Sequence, residues 1–304
     1  MRITRTIDTV EYISPGDFMQ LYFKPQKPLI IKNFAGNTPA GKHWTIEYLK
    51  RICGDVTVDI FDSENKNSKS SAYTKADKQM CFSDYASILE KNESSSFRIF
   101  LFNMFRHKPE LRKDFPCPGI FKGILGRVGY MFFGSKGTKV RIHQDIDMSS
   151  VLLTQFHGRK KVKLIAPKYS ALLYRLPFNT YSLIDPEKPD LDKYPALEFV
   201  EAQECVLEPG DTLFMPGGYW HYITYLDGGF AVSYRKLSPG LKMKLKGVVS
   251  LLVHMPIDKA LNLMFKDKWL MKKEELARAN ATKAMVKILL ESENPYSLKD
   301  ISHI

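Results

Sequence analysis

A histidine and an aspartate two residues apart, followed far downstream by a second histidine, are the residues of this chain best suited to metal chemistry. His143-Gln144-Asp145 contains the first pair, and Trp220-His221 contains the third side chain. In an extended strand, residues i and i+2 point to the same face, so His143 and Asp145 can bind one ion side by side. Two imidazoles and one carboxylate leave three metal positions open, which is the ligand pattern of a mononuclear Fe(II) site that activates oxygen.

The surroundings of this motif decide between a metal site and a chance string. A His-x-Asp string is frequent in proteins, and the simplest alternative is a surface turn. Here the motif follows one predicted strand and precedes another, and His221 comes directly after a strand that ends in Met-Pro-Gly-Gly. Asp147 is the rival carboxylate, but its offset of four residues fits less well than two. The pattern therefore favours His143, Asp145 and His221 as the ligands.

Short strands separated by turns predict the fold that positions these residues. Apolar runs bounded by Gly and Pro signals predict strands at 97–102, 127–133, 140–142, 151–156, 161–165, 202–207, 211–215 and 229–234. Many short strands with such turns are typical of a barrel or sandwich. We expect a mainly β fold with helical additions, whose core is a jelly roll (a double-stranded β-helix).

The first hundred residues mix helical and strand patterns. A buried strand is predicted at 28–32, and helices at 44–53 and 82–91. Between the helices, residues 62–79 are polar and rich in Ser and Lys, which predicts a flexible loop, or else a lid over the metal. These N-terminal α/β elements are expected to form one domain with the barrel, residues 1–236, with the barrel core at about 97–236.

Helical patterns replace strand patterns from about residue 237. Residues 239–304 contain twelve Lys and Arg against seven Asp and Glu, a local charge of +5. The sequence predicts a C-terminal helical extension, 237–304, packed either on the barrel or on a second copy of the chain. One residue of this region, His254, is expected to be a core histidine with its hydrogen bonds satisfied.

The charge of the chain permits several partners. Forty-five Lys and Arg against 33 Asp and Glu give a net charge of +12 over 304 residues. Nucleic acid, an acidic peptide or an anionic small molecule would all suit this balance, and so would a basic surface without any specific partner.

Cysteine usage and apolar runs bear on the compartment. The four cysteines, Cys53, Cys81, Cys117 and Cys205, form no CxxC pair, so no zinc ribbon or redox motif is written here. The longest apolar run, 247–255, is too short to span a bilayer, and the N-terminus has no apolar leader pattern. We expect a cytoplasmic protein without a membrane anchor.

Several blocks of the sequence resemble a known family. The similar blocks are KPLIIKNF, WTIEYLKRICGD, GYMFFGSKGTKVRIHQD, LLTQFHGRKKVKLIAP and LEPGDTLFMPGGYWHYI, and together they cover most of residues 20–236. The chain resembles the JmjC-type, cupin-like 2-oxoglutarate oxygenases. The similarity is greatest to the subgroup with the asparaginyl hydroxylase of the hypoxia response, the arginyl hydroxylases and a tRNA wybutosine hydroxylase.

This resemblance implies roles for individual residues. His143, Asp145 and His221 would hold Fe(II), and Lys160 would bind the distal carboxylate of the cosubstrate 2-oxoglutarate. A dicarboxylate held in a barrel needs a fixed cation opposite the metal, which suits a lysine at that position. The alternative for Lys160 is a solvated charge in the basic run 159–161.

Other residues of the sequence are further candidates for the cosubstrate. Lys163, further along the same strand, could face the same side, and Arg235 at the end of the last barrel strand is a second possible anion ligand. Three positions differ from the polar residues of the family: Phe100, Val140 and Ser149. The hydroxyl groups that could replace them belong to Tyr130, Thr138 and Ser150.

The resemblance implies hydroxylation of a protein side chain, with succinate and CO2 as coproducts. The alternatives are hydroxylation of RNA such as tRNA, hydroxylation of a small molecule, and a metal-binding cupin without oxygenase activity. The C-terminal helices could form a homodimer, as similar helices do in the hypoxia hydroxylase, or could pack on their own barrel.

Overall fold

The computed structural model describes residues 1–65, 75–123, 125 and 128–293. Most of the segment predicted as a loop or lid, residues 66–74, lies outside the described residues, as does Arg127 at the start of one predicted strand. The part of that segment that is described includes strand residues, because Lys78–Cys81 pairs with Thr57–Asp62. The prediction of a loop throughout 62–79 is wrong at that end.

The strands lie close to the predicted positions. They are β1 (Arg2–Arg5), β2 (Asp8–Val10), β3 (Leu29–Ile31), β4 (Thr57–Asp62), β5 (Lys78–Cys81), β6 (Phe97–Phe102), β7 (Tyr130–Gly134), β8 (Lys139–His143), β9 (Ser150–His157), β10 (Lys160–Ile165), β11 (Glu201–Leu207), β12 (Thr212–Met215), β13 (Trp220–Tyr225) and β14 (Gly229–Lys236).

Helices lie between the first strands and again after the last strand of the chain. They are α1 (Pro15–Asp17), which continues into a π-helical stretch Phe18–Phe23, then α2 (Pro39–His43), α3 (Ile46–Cys53), α4 (Phe82–Glu90), α5 (Met104–His107), α6 (Leu111–Asp114), α7 (Leu241–Val249), a π-helical stretch Ser250–His254, and α8 (Met255–Glu293). The predicted helix at 44–53 begins at Thr45, whose hydroxyl accepts a hydrogen bond from the Tyr48 N–H at 3.0 Å.

Two sheets form the core, as the predicted jelly roll requires. In the described residues the five-stranded sheet has the order β1-β11-β10-β13-β8, and the nine-stranded sheet has the order β2-β3-β12-β9-β14-β7-β6-β4-β5. One buried cluster contains Val162 and Leu164 from the first sheet together with Leu153 and Leu213 from the second. The two sheets therefore pack face to face, with the barrel core between them.

The predicted helical extension is confirmed as helices that pack on the barrel. Gly247 in α7 approaches the backbone oxygen of Asp147 so closely that a Cβ atom would lie 2.2 Å from it. Helix α8 breaks at Lys266, which has φ 44° and ψ −120°. Asp258, before the break, pairs with the fully buried Lys273 after it at 2.8 Å, so a buried ion pair joins the two arms of α8.

The extension also exposes apolar side chains. Leu241, Leu245, Val248 and Leu252 are 80%, 61%, 49% and 72% exposed, and their spacing of four, three and four residues places them on one helix face. By length and composition alone, the helical stretch Leu241–Glu291 is apolar enough to cross a membrane, with a mean hydropathy of 1.3 in its most apolar 18 residues. Core helices that meet the same criterion are mostly buried, whereas 11% of this window is buried.

Candidate metal centre

Two neighbouring strands and the turn after one of them bring the three predicted ligands together, since β8 ends at His143 and Asp145 follows two residues later. Strands β8 and β13 are antiparallel, and His143 lies directly opposite His221 in their register. Their imidazole centroids are 4.1 Å apart. Ligand atoms of His143, Asp145 and His221 all lie within 4.8 Å of one another, so a single ion can contact all three.

Local backbone geometry sets the approach of His221. The turn before β13 contains Gly218 at φ +75°, a conformation that glycine adopts without strain. The Gln144 side chain, which is fully buried, donates a hydrogen bond to the carbonyl oxygen of Gly218. On the far side of the histidine, the Trp220 indole N–H donates to Ser170 Oγ at 2.9 Å. The strand end that carries His221 is therefore held from both sides.

Hydrogen bonds fix the tautomer of both imidazoles. Nδ1 of His143 lies 2.7 Å from the carbonyl oxygen of Arg141, and Nδ1 of His221 lies 3.3 Å from that of Tyr219. A carbonyl oxygen only accepts, so each Nδ1 carries the proton and each Nε2 keeps its lone pair for a metal. Burial, assisted by the nearby His221, lowers the pKa of His143 to about 3, and burial also lowers the pKa of His221.

The carboxylate of the triad is ionised because an arginine faces it. Burial alone would raise the pKa of Asp145, but the Arg235 guanidinium and the two imidazoles outweigh this effect and lower it to about 2. Arg235 donates from Nη2 to Asp145 Oδ1 at 3.0 Å and from Nη1 to the rival carboxylate, Asp147, at 3.1 Å. Asp147 also accepts from the hydroxyl of Ser149 at 2.9 Å, and it is not one of the three clustered ligands.

A tyrosine from the segment between β10 and β11 packs on the first ligand. The Tyr181 ring stacks on His143 with centroids 5.4 Å apart. The backbone of this tyrosine is held by Asn179, whose Oδ1 accepts from the N–H groups of Thr180 at 2.8 Å and Tyr181 at 3.1 Å. The neighbouring backbone bond runs from the Gln144 N–H to the Thr180 carbonyl oxygen at 3.0 Å.

The triad opens into a cavity of about 360 Å³ whose lining also includes Lys160. Lys160 is 1% exposed, and its Nζ lies 4.3 Å from the centroid of the Tyr225 ring. No carboxylate of the described residues lies within ion-pair distance of it. Burial lowers the pKa of Lys160 to about 7, because the charged form has lost water without gaining a counterion.

Of the other candidate cosubstrate residues, the structure places two at the cavity and two outside its lining. Tyr130 and Arg235 line the cavity. Thr138 does not, since its hydroxyl donates to the carbonyl oxygens of Ser95 at 2.9 Å and Phe97 at 3.3 Å. Ser150 is also outside the lining and accepts from the Gly217 N–H at 3.2 Å. Thr138 and Ser150 are therefore not brought to the site, because backbone groups of the fold already engage their hydroxyls.

The suggestion that Lys163 faces the same side as Lys160 is wrong. The two lysines are three residues apart on β10, which puts them on opposite faces of a strand. Lys163 donates to the carbonyl oxygen of Pro186 at 2.8 Å and forms ion pairs with Glu187 and Glu204. It belongs to the outer surface of the sheet.

Two polar residues of the cavity were missed by the sequence argument. Arg98 and Ser233 line the cavity, and the Nε of one and the Oγ of the other are buried without a hydrogen-bond partner in the described part of the chain. The two-residue period of strands could have found both. Ser233 shares a strand face with Arg235, and Arg98 shares one with Phe100.

The donor set fits a divalent metal and a dicarboxylate. Two neutral imidazoles with free Nε2 atoms and one ionised carboxylate suit Fe(II) with open coordination positions. An ammonium group that is buried and unpaired is costly unless an anion joins it, and Lys160 shares one cavity with the triad. The cavity thus offers a metal ligand set and a fixed cation for the second carboxylate of 2-oxoglutarate.

Comparison with known proteins gives a family match. Residues 15–235 match the family model described as a cupin-like domain. The chain is 31% identical over 233 residues to Lysine-specific demethylase 8 of Xenopus tropicalis, covering 71% of this chain and 49% of the relative. It is 27% identical over 244 residues to JmjC domain-containing protein D of Dictyostelium discoideum, covering 72% and 53%.

A relative of another kind is matched over more of its length. The chain is 25% identical over 244 residues to the tRNA wybutosine-synthesizing protein 5 of Homo sapiens, covering 75% of this chain and 76% of that protein. By contrast, the chain spans about half the length of the demethylase-named relative from Xenopus tropicalis, 49%.

Proposed function

The chain belongs to the cupin-like domain family, and from this premise we propose that it is an Fe(II)- and 2-oxoglutarate-dependent oxygenase that hydroxylates a protein side chain. Succinate and CO2 are the coproducts. One observation carries the proposal: a His-Asp-His triad and an unpaired, buried lysine lie in the same cavity. The match to the cupin-like domain family confirms the resemblance of the sequence to JmjC-type enzymes.

The residues of the cavity divide the work of binding. His143, Asp145 and His221 hold the metal through two neutral imidazoles and one carboxylate. Together with 2-oxoglutarate, the bound Fe(II) supplies oxidising power that inserts one oxygen atom of O2 into a C–H bond while the cosubstrate is decarboxylated. Lys160 holds the distal carboxylate of the cosubstrate as an ion pair in a low-dielectric site, where such a pair is strong.

Other residues keep this arrangement in place. Arg235 orients Asp145 through a hydrogen bond of 3.0 Å and keeps the carboxylate ionised. Apolar side chains, including Phe100, Val140 and Leu153, line the same cavity as Lys160 and exclude water from the reacting atoms. Of the three positions at which this chain differs from the family, Phe100 and Val140 thus make the cavity drier, whereas Ser149 lies outside the lining and donates to Asp147.

A protein side chain is the substrate class that we favour. Support comes from the demethylase-named relatives, whose name specifies lysine, and from the cavity volume of about 360 Å³, which must also accommodate the cosubstrate. Hydroxylation of tRNA is the second candidate. The match over 76% of a tRNA wybutosine-synthesizing protein and the net charge of +12 favour it.

The first experiment tests the metal and the cosubstrate. Anaerobic titration of the protein with Fe(II) and 2-oxoglutarate should produce the weak visible charge-transfer band of the chelate. His143→Ala and Lys160→Ala should each abolish or strongly weaken the band, whereas His43→Ala, at an exposed histidine, should leave it unchanged. Metal binding without a band would leave a metal-binding cupin with other chemistry or none.

The second experiment identifies the substrate class. Conversion of 2-oxoglutarate to succinate is followed with and without pooled peptides or total tRNA, and products are examined by mass spectrometry for a gain of one oxygen. Stimulation by peptides with an oxidised residue supports the proposal. Stimulation by tRNA, with binding that weakens steeply as salt increases, would establish the RNA alternative instead.

We also propose that the exposed apolar face formed by α7 and the π-helical stretch after it pairs two copies of the chain. Leu241, Leu245 and Leu252 are more than half exposed, and an apolar helix face of this kind is an association site. Light scattering should show a dimer that Leu245→Asp with Leu252→Asp converts to a monomer. A wild-type monomer would contradict the proposal.

A cytoplasmic location and a separate C-terminal unit from residue 237 stay predictions.

A further inference from the structure

A second cavity lies between the segment that follows β10 and the second arm of α8. It measures about 1130 Å³, and its lining includes Arg175, Phe178, His254 and Lys283. Of the described residues, none lines both this cavity and the metal cavity. We call it the extension groove, and no step of the proposed oxygenase reaction uses it.

One rim of the extension groove is basic and lacks a counterion. The Nε of Arg175 donates to the carbonyl oxygen of Asn179 at 3.0 Å, but no carboxylate of the described residues forms an ion pair with its guanidinium. The Nδ1 of His254 is buried and has no hydrogen-bond partner in the described residues. The expectation of a satisfied core histidine is therefore wrong for His254.

The basic groups of this rim act on one another. Burial and then the charge of Arg175 lower the pKa of Lys246 and of His254, and burial lowers that of Arg175. Among the described residues, the charged neighbours that shift these pKa values are all basic. Half-buried cations that repel one another are unfavourable until an anion joins them, because their lost hydration is not otherwise replaced.

The rest of the groove is mostly apolar. Leu176, Pro177 and Phe178 form one wall, and Val286 and Leu290 lie across from them on α8. The single carboxylate of the lining, Glu291, forms an exposed ion pair of 3.7 Å with Lys287, which also lines the groove. A ligand that fits this surface has one negative group for the basic rim and an apolar body for the walls.

We propose that the extension groove binds an amphiphile with one anionic head group, held by Arg175 and His254 with its apolar body between Phe178 and Val286. Lys246, which does not line the groove, adds positive charge near His254. A phosphate monoester and a carboxylate share this chemistry. The site stands independently of the oxygenase function, because it shares no lining residue with the metal cavity.

A tryptophan beside the groove provides a direct readout. Trp269 packs on Phe178 with ring centroids 6.2 Å apart, whereas Trp44 and Trp220 are 3% and 0% exposed in the core. Dodecyl phosphate and dodecanoate, each below its micelle concentration, should change the Trp269 fluorescence saturably with one site per chain. Dodecanol tests the need for the charge, and inorganic phosphate tests the need for the apolar body.

Matched variants decide whether the basic rim is the site. Arg175→Gln should weaken binding of dodecyl phosphate at least about tenfold, as expected for loss of a charge-assisted contact. Lys246→Met, which breaks no hydrogen bond, should weaken it less. The control variant Arg51→Gln, at an exposed arginine distant from Arg175 in the sequence, should bind as the wild type does. Circular dichroism checks that each variant is folded.

The proposal fails on several clear outcomes. Equal binding of dodecanol would show an apolar groove without an anion site. Unchanged affinity in folded Arg175→Gln and Lys246→Met variants, or no saturable binding of either anionic probe to the wild type, would also overturn it. If dodecyl phosphate binds and dodecanoate does not, or the reverse, the proposal holds and the head group is identified.

Discussion

Asn179 is hydrogen-bonded to Asp258, and this contact joins the metal site to the helical extension. The Nδ2 of Asn179 donates to Asp258 Oδ2 at 3.0 Å, while its Oδ1 accepts from the backbone N–H groups of Thr180 and Tyr181. Tyr181 in turn stacks on His143. One amide side chain therefore connects a metal ligand with a carboxylate more than a hundred residues downstream.

Asn179→Ala should weaken metal binding while leaving the triad itself intact. Loss of the amide side chain frees the backbone of Tyr181 and hence the ring that packs on His143. Loss of a residue that supports a metal ligand typically lowers metal affinity about 10–100-fold. Co(II) binding followed by visible absorption measures the effect. Asn262→Ala is the matched control, since Asn262 contacts the backbone oxygen of Asp258 at 2.7 Å but not the tyrosine segment. Equal losses in both variants would argue for a general effect on stability.

Arg235→Met should lower metal affinity more than cosubstrate affinity. Without the guanidinium, burial is no longer outweighed and the pKa of Asp145 rises from about 2. Metal binding should then weaken as pH falls from neutral towards the new pKa, whereas the wild type stays ionised down to about pH 4. Arg159→Met, which removes an arginine paired with Asp227 at 2.6 Å, is the control. A loss confined to 2-oxoglutarate binding would instead make Arg235 an anion ligand.

The affinity for 2-oxoglutarate should fall as pH rises. The pKa of Lys160 is lowered to about 7, so its amine loses its charge above that pH. The pKa values of His143, about 3, and Asp145, about 2, leave the charge of these two metal ligands unchanged over the same range. Calorimetry with the Co(II)-loaded protein should show a Kd about tenfold higher at pH 8 than at pH 6, because the charged fraction falls tenfold per unit above the pKa. Lys160→Met should bind weakly at both values.

The same lysine should destabilise the protein without cosubstrate. A folded pKa below the ordinary 10.5 means that the folded state holds its proton less tightly than the unfolded state. The cost is greatest below pH 7 and decreases as pH rises towards 10.5. Lys160→Met should therefore raise Tm at pH 6 by more than at pH 9. A lower Tm at both values would mean that Lys160 has a counterion in the folded protein.

Gly247→Ala should be destabilising, in contrast to Gly240→Ala. A Cβ atom at 247 would lie 2.2 Å from the Asp147 backbone oxygen, whereas one at 240 would meet nothing within 4 Å. Overpacking of this kind costs about 1–3 kcal/mol, which thermal unfolding detects as a fall in Tm of several degrees. If both variants have the same Tm as the wild type, α7 does not pack against the backbone of Asp147 in the way the structure shows.

Strand-forming patterns accounted for most of the barrel, and the reason is local. Alternation and Gly-Pro turns are written within each segment, so the strands around His143 and His221 could be placed to within a few residues. The i, i+2 spacing identified His143 and Asp145, although β8 ends at His143 and Asp145 lies two residues beyond the strand. His221 joins them because β13 pairs with β8. The same rule, applied to Arg235 and Phe100, would have added Ser233 and Arg98 to the cavity.

The remaining features depend on contacts between segments far apart in the chain. Nothing in the local sequence shows that Tyr181 stacks on His143, because the segment between β10 and β11 has few regular elements. The hydroxyl of Thr138 suggested a cosubstrate contact, but it donates to the backbone carbonyl oxygens of Ser95 and Phe97, around the start of β6. Lys163 was suggested to face the same side as Lys160, but it lies three positions further along β10, which reverses its face. Register and long-range hydrogen bonds decided these cases.

The buried, unpaired Lys160 gives the cosubstrate an effect on protein lifetime. A ligand that binds only the folded state raises the free energy of unfolding, by about 2.7 kcal/mol at 100 times its Kd. Proteases in cells degrade the unfolded fraction, so changes of about 1–2 kcal/mol alter protein abundance severalfold. The amount of this protein in a cell should therefore follow the supply of 2-oxoglutarate, even where no substrate is present to be hydroxylated.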